Sequence, residues 1–114
     1  MNLNSYTIKS QEAIQQAQLL AQSLGHQQIE NEHILKAIFE VDKNVIPFIL
    51  NKLNVNVALL NKILDKQLES FPKVSGGDIM LSTTAGKTIN EATIIAKKMK
   101  DEYVSIEHLL IAIF

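Results

Sequence analysis

The 114-residue chain is 46% apolar and 20% charged, a composition that suits one globular domain and argues against disorder. Eleven cations, all lysine, stand against 12 carboxylates for a net charge of −1, so the chain has neither a field that attracts a polyanion nor an arginine fork that reads phosphates or guanines. Nucleic-acid binding is therefore not expected. With no cysteine, a disulfide framework, a thiolate zinc site and a cysteine nucleophile are excluded. The longest apolar run, Leu109 to Phe114, falls far short of a bilayer span, and the polar start MNLNSYTIKSQ has no hydrophobic signal core. Cytoplasm is the expected location, with no membrane partner.

Along the chain, Thr7 is placed to cap a long amphipathic helix whose apolar face reads Ile8, Ile14, Ala17, Ala21 and Leu24. Gly25 stands where a left-handed residue would end it, and His26 follows in a polar turn where it is expected to be solvated. A shorter helix is predicted over about 31–41, after Ile29 and Glu30. Asn44 starts another, with Pro47 in its first turn, where a missing amide is tolerated. Asn56 then caps a helix carrying Val57, Leu60, Ile63, Leu64 and Leu68 on one side. Phe71-Pro72-Lys73-Val74-Ser75-Gly76-Gly77-Asp78 has turn chemistry. Beyond it, Ser82 or Thr83 caps a second long helix with Ile89, Ala92, Ala96 and Met99 as its stripe. Ser105 caps a last helix over 106–114, and Glu107 in its first turn complements the helix dipole. No strand pattern appears, so the expected fold is all α.

The chain repeats itself. A shift of 75 residues lays Glu32-His33-Ile34-Leu35-Lys36-Ala37-Ile38-Phe39 on Glu107-His108-Leu109-Leu110-Ile111-Ala112-Ile113-Phe114, with six of eight pairs identical. The match continues backwards through Ile29 on Val104, Ala21 on Ala96, Ala17 on Ala92 and Ile14 on Ile89, so what recurs is the buried face of a helix. The organisation expected is one domain over 1–114: a first unit over 1–70, a linker over 71–81 and a second unit over 82–114. A counterpart of 44–70 would fall at 119–145, so the second unit reads as incomplete. Apolar surface around Leu109, Ile113 and Phe114 is accordingly expected to be poorly covered.

Three groups of residues look chemical. Gly86-Lys87-Thr88 has the tail of a phosphate-binding loop, but that loop needs glycine at position 81, which is Leu81, and a preceding strand. No nucleotide site is expected here. His33 and His108 occupy the same place in the two units, and neither has a second histidine or a carboxylate one turn on, so a repeated packing role at a helix start outweighs metal or catalysis. Asp101, Glu102 and Glu107 cluster beside the last turn; a hydrolase built on Asp101, Glu107 or His108 is the enzymatic alternative, and a charged helix start is the simpler one.

The opening Leu3-Asn4-Ser5-Tyr6-Thr7, Leu24-Gly25-His26 through Glu32-His33-Ile34-Leu35, and Asp101 through Leu110 together resemble the N-terminal domain of the Clp family of ring-forming ATPases. Phe71-Pro72-Lys73-Val74-Ser75-Gly76 followed by Leu81-Ser82 is most similar to the ClpB-type disaggregase branch. The resemblance implies a two-unit helical module tethered above a hexameric ATPase ring, engaging unfolded or aggregated polypeptide clients for delivery to the ring. It implies no catalysis and no cofactor in this chain, ATP and magnesium belonging to the ATPase modules of the longer protein. The family's shallow substrate groove maps onto Thr7, Ile95, Asp101 and Glu107, and at position 108 this chain carries histidine where some members place an apolar groove residue. The alternative within the same family is an adaptor-docking N-domain of the ClpA or ClpC type.

Overall fold

The computed structural model describes residues 3–74 and 77–114; Ser75 and Gly76 of the expected linker, like the first two residues of the chain, lie outside the described residues. In chain order the elements are α1 (Ile8–Ser23), β1 (Gln28–Ile29), α2 (Asn31–Val41), α3 (Val45–Lys52), α4 (Val57–Ser70), β2 (Met80–Leu81), α5 (Thr83–Lys98) and α6 (Ile106–Ile113). The architecture is all α. Its two strands are two residues long and pair in parallel, an addition that residue alternation could not announce at that length.

Each long helix is paired with the short helix that follows it, α1 with α2 and α5 with α6. Alanines make this close: Ala13, Ala17 and Ala21 of α1 and Ala85, Ala92 and Ala96 of α5 are buried, and their small side chains let the partner helix approach. Ile34 of α2 and Leu109 of α6, equivalent in the repeat, are both wholly buried with Ile38 and Ile46, and α6 also touches α1 and α2, so the units share one core. Ile8 and Met99 depart from the expected stripes: both are mostly exposed, because they stand at helix ends beyond the reach of the partner helix. Ser10 is buried in the first turn instead.

The caps fall where side-chain oxygens reach free amides. Thr7 accepts from the Ser10 N–H, Ser82 from Ala85 and Asn56 from Leu59. At α3 the expectation was half met. Asn44 is the capping position but its side chain makes no cap; the buried Asp42 carboxylate accepts from the N–H groups of Asn44 (3.0 Å), Val45 (2.9 Å) and Ile46 (3.3 Å). Burial alone would raise the Asp42 pKa, but those three donors, with Lys9, hold it below the ordinary carboxylate value.

The units exchange their beginnings. Ile29, after α1, pairs with Leu81, before α5; Val104, after α5, pairs with Tyr6, before α1. The hydrogen bonds repeat the exchange, with Ser82 N–H donating to Ile29 O (3.0 Å) and Thr7 N–H to Val104 O (2.9 Å). This reciprocity is what a two-fold relation between the units produces. It makes two equivalent crossings.

Candidate functional site

The crossing of Tyr6 with Val104 gathers most of the residues singled out above. The chain leaves α5 through Lys100, held at φ 59°, the position that Gly25 occupies at φ 73° after α1. A left-handed residue there lets the next amide turn back, Asp101 N–H onto Ala96 O (2.9 Å) as His26 N–H onto Ala21 O (2.8 Å). Val104 N–H then donates to Ser5 O (2.8 Å), and the buried Ser10 hydroxyl reaches Val104 O at 2.7 Å and Thr7 O at 2.9 Å. The start of α1 is thus pinned against the turn that follows α5.

Thr7 is half-buried in this seam. Its hydroxyl donates to Ser10 Oγ (2.9 Å) and accepts the Ser10 N–H (3.2 Å), which leaves one lone pair for a ligand. Asp101 is exposed, with Oδ2 held by His108 Nε2 at 2.8 Å. Glu107 is exposed in the first turn of α6, where its charge favours the helix dipole. Ile95 is partly buried on the last turn of α5, one helical turn before Met99, whose N–H donates to the Ile95 carbonyl. Thr7, Asp101 and Glu107 therefore belong to one junction, and Ile95 to the helix that leads into it.

His108 has the packing role anticipated for it, by a specific means. As the third residue of α6 it accepts the Ser105 N–H on Nδ1 (2.9 Å), a capping box with histidine where glutamate or glutamine is usual. That bond fixes the tautomer, so Nε2 carries the proton donated to Asp101. Ser105 Oγ also lies 3.1 Å from Nδ1, which brings serine, histidine and aspartate into contact. Nδ1 is already committed to a backbone amide, so it is not free to take a proton from the hydroxyl, and the trio caps a helix rather than forming a nucleophile.

In the first unit His33 accepts the Glu30 N–H on Nδ1 (2.8 Å), and its Nε2 meets His26 Nδ1 at 2.8 Å. His26 was expected to be solvated and is buried, under the Phe71 ring at 5.5 Å between centroids. The segment after α4 folds back over it, with Val74 N–H on Gly25 O (2.8 Å). Burial, then the neighbouring His26, push the His33 pKa down to about 4 against the pull of Glu30; His26 is lowered by burial and by Lys73, opposed by the Leu68 carbonyl. The repeat carried a signal for this pair: His26 and Asp101 are equivalent positions, each seven residues before the capping histidine.

The two crossings differ most in what they expose. Ile8 is 75% and Tyr103 50% exposed at the Tyr6–Val104 crossing, beside the carboxylates of Asp101 and Glu102. Their equivalents at the other crossing are Thr83 and Gln28, both polar, while Met80, paired with Gln28, is exposed there in place of Ser5. Neither Ile8 nor Tyr103 was anticipated as a surface residue of the site. A separate apolar groove of about 460 Å³ is lined by Leu50, Leu53, Val55, Leu60, Leu110, Ile111 and Phe114, none of them among the four predicted residues. Of the three residues expected to be poorly covered, Phe114 is largely exposed, Ile113 partly buried and Leu109 wholly buried.

Gly86-Lys87-Thr88 lies inside α5, with Lys87 exposed and Thr88 buried. Among the described residues no group of three or more histidine, cysteine or acidic side chains could hold a metal ion, and no helix is long and apolar enough to cross a membrane.

Two helical units with exchanged starts and histidine-closed helix caps define a repeat-built, all-α module. The sequence model of the Clp repeat (R) N-terminal domain family matches residues 5–114, and the chain belongs to that family. It is 49% identical over 113 residues to the chaperone protein ClpB of Bacteroides thetaiotaomicron and 42% identical to that of Porphyromonas gingivalis, in each case over 99% of this chain and 13% of the relative. The chain thus spans about an eighth of the length of the curated relatives it matches, over their N-terminal regions. Among solved structures, the Hsp104 N-terminal domain from Candida albicans superposes with a TM-score of 0.88 at 22% identity, covering 96% of this chain and 73% of that one. The N-terminal domain of ClpD from Arabidopsis thaliana gives a TM-score of 0.77 at 16% identity, over 99% and 77% of the two chains. These two establish the shared fold.

Proposed function

We propose that this chain is the substrate-binding N-terminal domain of a ClpB-type ATP-dependent disaggregase. It engages unfolded or aggregated polypeptide at the Tyr6–Val104 crossing and passes it towards the ring of a hexameric, cytoplasmic chaperone. One observation carries the reading. At this crossing Ile8 and Tyr103 stand exposed beside the carboxylates of Asp101 and Glu102, where the equivalent positions are Thr83 and Gln28; the exposed apolar side chain of the other crossing, Met80, has no carboxylate neighbours of that kind in the turn of that crossing, Gly25 to Ile29. A small apolar surface rimmed by carboxylates suits an extended client: Ile8, Tyr103 and Ile95 give contact without direction, and Asp101, Glu107 and the spare Thr7 lone pair take backbone N–H groups or basic side chains. Such contacts are weak and quickly broken, as a machine that must release its client requires. In this reading catalysis, ATP and magnesium belong to the rest of the chaperone, this domain takes no cofactor, and neither nucleic acid nor membrane is a partner.

An amide chemical-shift titration with a reduced, permanently unfolded protein tests it. The expected result is shifts at residues 7–8, 95 and 101–107, weakened when Glu107 is changed to Gln in a variant that keeps its fold. Shifts confined to the groove around Ile111 and Phe114, or tight binding of a single folded protein and none of unfolded chains, would replace client binding with adaptor docking.

A further inference from the structure

The two histidines of the first unit leave no room for an extra proton. The Glu30 N–H occupies His33 Nδ1, so Nε2 of His33 bears its hydrogen and donates it to His26 Nδ1. His26 must then carry its own hydrogen on Nε2, which is buried and completes no hydrogen bond of good geometry, beside the Leu68 carbonyl that favours the proton there. A proton added at His33 Nδ1 would point at the Glu30 N–H, and one added at His26 Nδ1 would point at the Nε2–H of His33. Each is donor against donor in a buried site, so either cation breaks a link of the chain. In the second unit the corresponding acceptor for the capping histidine is the exposed Asp101 carboxylate.

The pair also holds something down. Phe71, which caps the C-terminus of α4, packs its ring 5.5 Å from His26 and 5.8 Å from His33, centroid to centroid. The Val74 N–H on Gly25 O is the next tie of the same segment. Two charged groups act on the pair: Glu30, ahead of α2, favours a cation, and Lys73, from the segment itself, opposes one.

We propose that His26 and His33 form an acid-sensitive latch, which clamps the inter-unit segment 71–74 onto the first unit while both imidazoles are neutral and releases it when either is protonated. Release frees the Phe71 ring and the Val74 amide and loosens the connection between the units without unfolding either. The latch works on the domain itself, whatever binds at the Tyr6–Val104 crossing.

The test follows ring nitrogen shifts of both histidines and amide hydrogen exchange, corrected for intrinsic rates, on the whole chain from neutral pH downwards. His33 should stay neutral down to about 4 and His26 should titrate below the ordinary histidine value of 6.5. As they titrate, protection of the Val74 amide should fall at least tenfold relative to amides of α1 and α5. The double variant His26→Gln with His33→Gln, in which neither position can titrate and a glutamine still accepts the Glu30 N–H, should keep Val74 protected over that range; if that variant does not fold, the exchange of the native chain against its own ring titration still decides. The latch is refuted if Val74 protection stays constant while the rings titrate, or if it falls only together with α1 and α5, which is global unfolding.

Discussion

Acidification should destabilise this domain well before its carboxylates titrate, and the size of the effect follows from His33. Its pKa is about 4 in the folded domain against 6.5 for the model value, so the unfolded chain binds the proton first. The sign is therefore that of a depressed base: the stability is fully present above 6.5, declines as the pH falls and is gone once the pH passes below the folded value. Between pH 7 and pH 5 this one group removes about 2 kcal/mol, and the limit for a shift of that size is about 3 kcal/mol. His26 acts in the same direction, and Asp42, whose pKa is lowered from 3.8, adds its loss only at more acidic pH. For a domain whose whole stability is on the order of 5–10 kcal/mol, that is a large fraction. Urea denaturation at a series of pH values reads it directly. His33→Gln should flatten the slope between pH 7 and 5 while lowering stability at pH 7. A native protein whose stability is constant over that window would mean that His33 is solvated or charged in solution, and the reasoning from its burial would fail.

Four substitutions test other links. Asp42→Ala removes the acceptor for three amides at the start of α3 and should cost about 2–3 kcal/mol, measured as a lower urea midpoint, with α3 amides exchanging fastest. Lys100→Gly relieves a left-handed lysine and should stabilise by about 0.5–1 kcal/mol, whereas Gly25→Ala, at the equivalent position, should destabilise by a similar amount. Ser10→Ala leaves the buried Val104 carbonyl without its 2.7 Å donor; thermal unfolding should show a loss of about 1–3 kcal/mol, with the largest amide shifts at residues 5–7 and 103–105.

Much of the fold was legible because helices advertise themselves locally. Thr7, Asn56 and Ser82 cap the helices they precede, Gly25 adopts the left-handed turn, and the recurrence of Ala17 and Ala21 as Ala92 and Ala96 marks the buried faces correctly. What was not legible depends on chain segments far apart in sequence. Nothing near Tyr6 announces Val104, and two-residue strands have no period to read. Ile8 and Met99 fit a helical stripe but lie past the end of the partner helix. Asp42 caps from two residues ahead of the position where a cap is ordinarily sought. His26 was misjudged because a polar turn suggests solvent, while Phe71 and segment 71–74 arrive from the far end of the unit to cover it.

The repeat makes one difference between the two turns of so symmetric a module physically intelligible. After α1, the turn that begins at Gly25 is covered by its own chain: Val74 bonds to Gly25, Phe71 lies on His26, and a neutral imidazole is the partner that such burial tolerates. After α5, Asp101, Glu102 and Tyr103 of the equivalent turn are exposed. A carboxylate can serve there as the partner of the capping histidine because water solvates its free oxygen. The same seven-residue device therefore takes histidine where the turn is closed and aspartate where it is open. At the Tyr6–Val104 pairing, Ile8 and Tyr103 stand exposed where the twin crossing has Thr83 and Gln28, and Ser5 stands where the twin exposes Met80, so the repeat has exchanged which positions carry apolar surface.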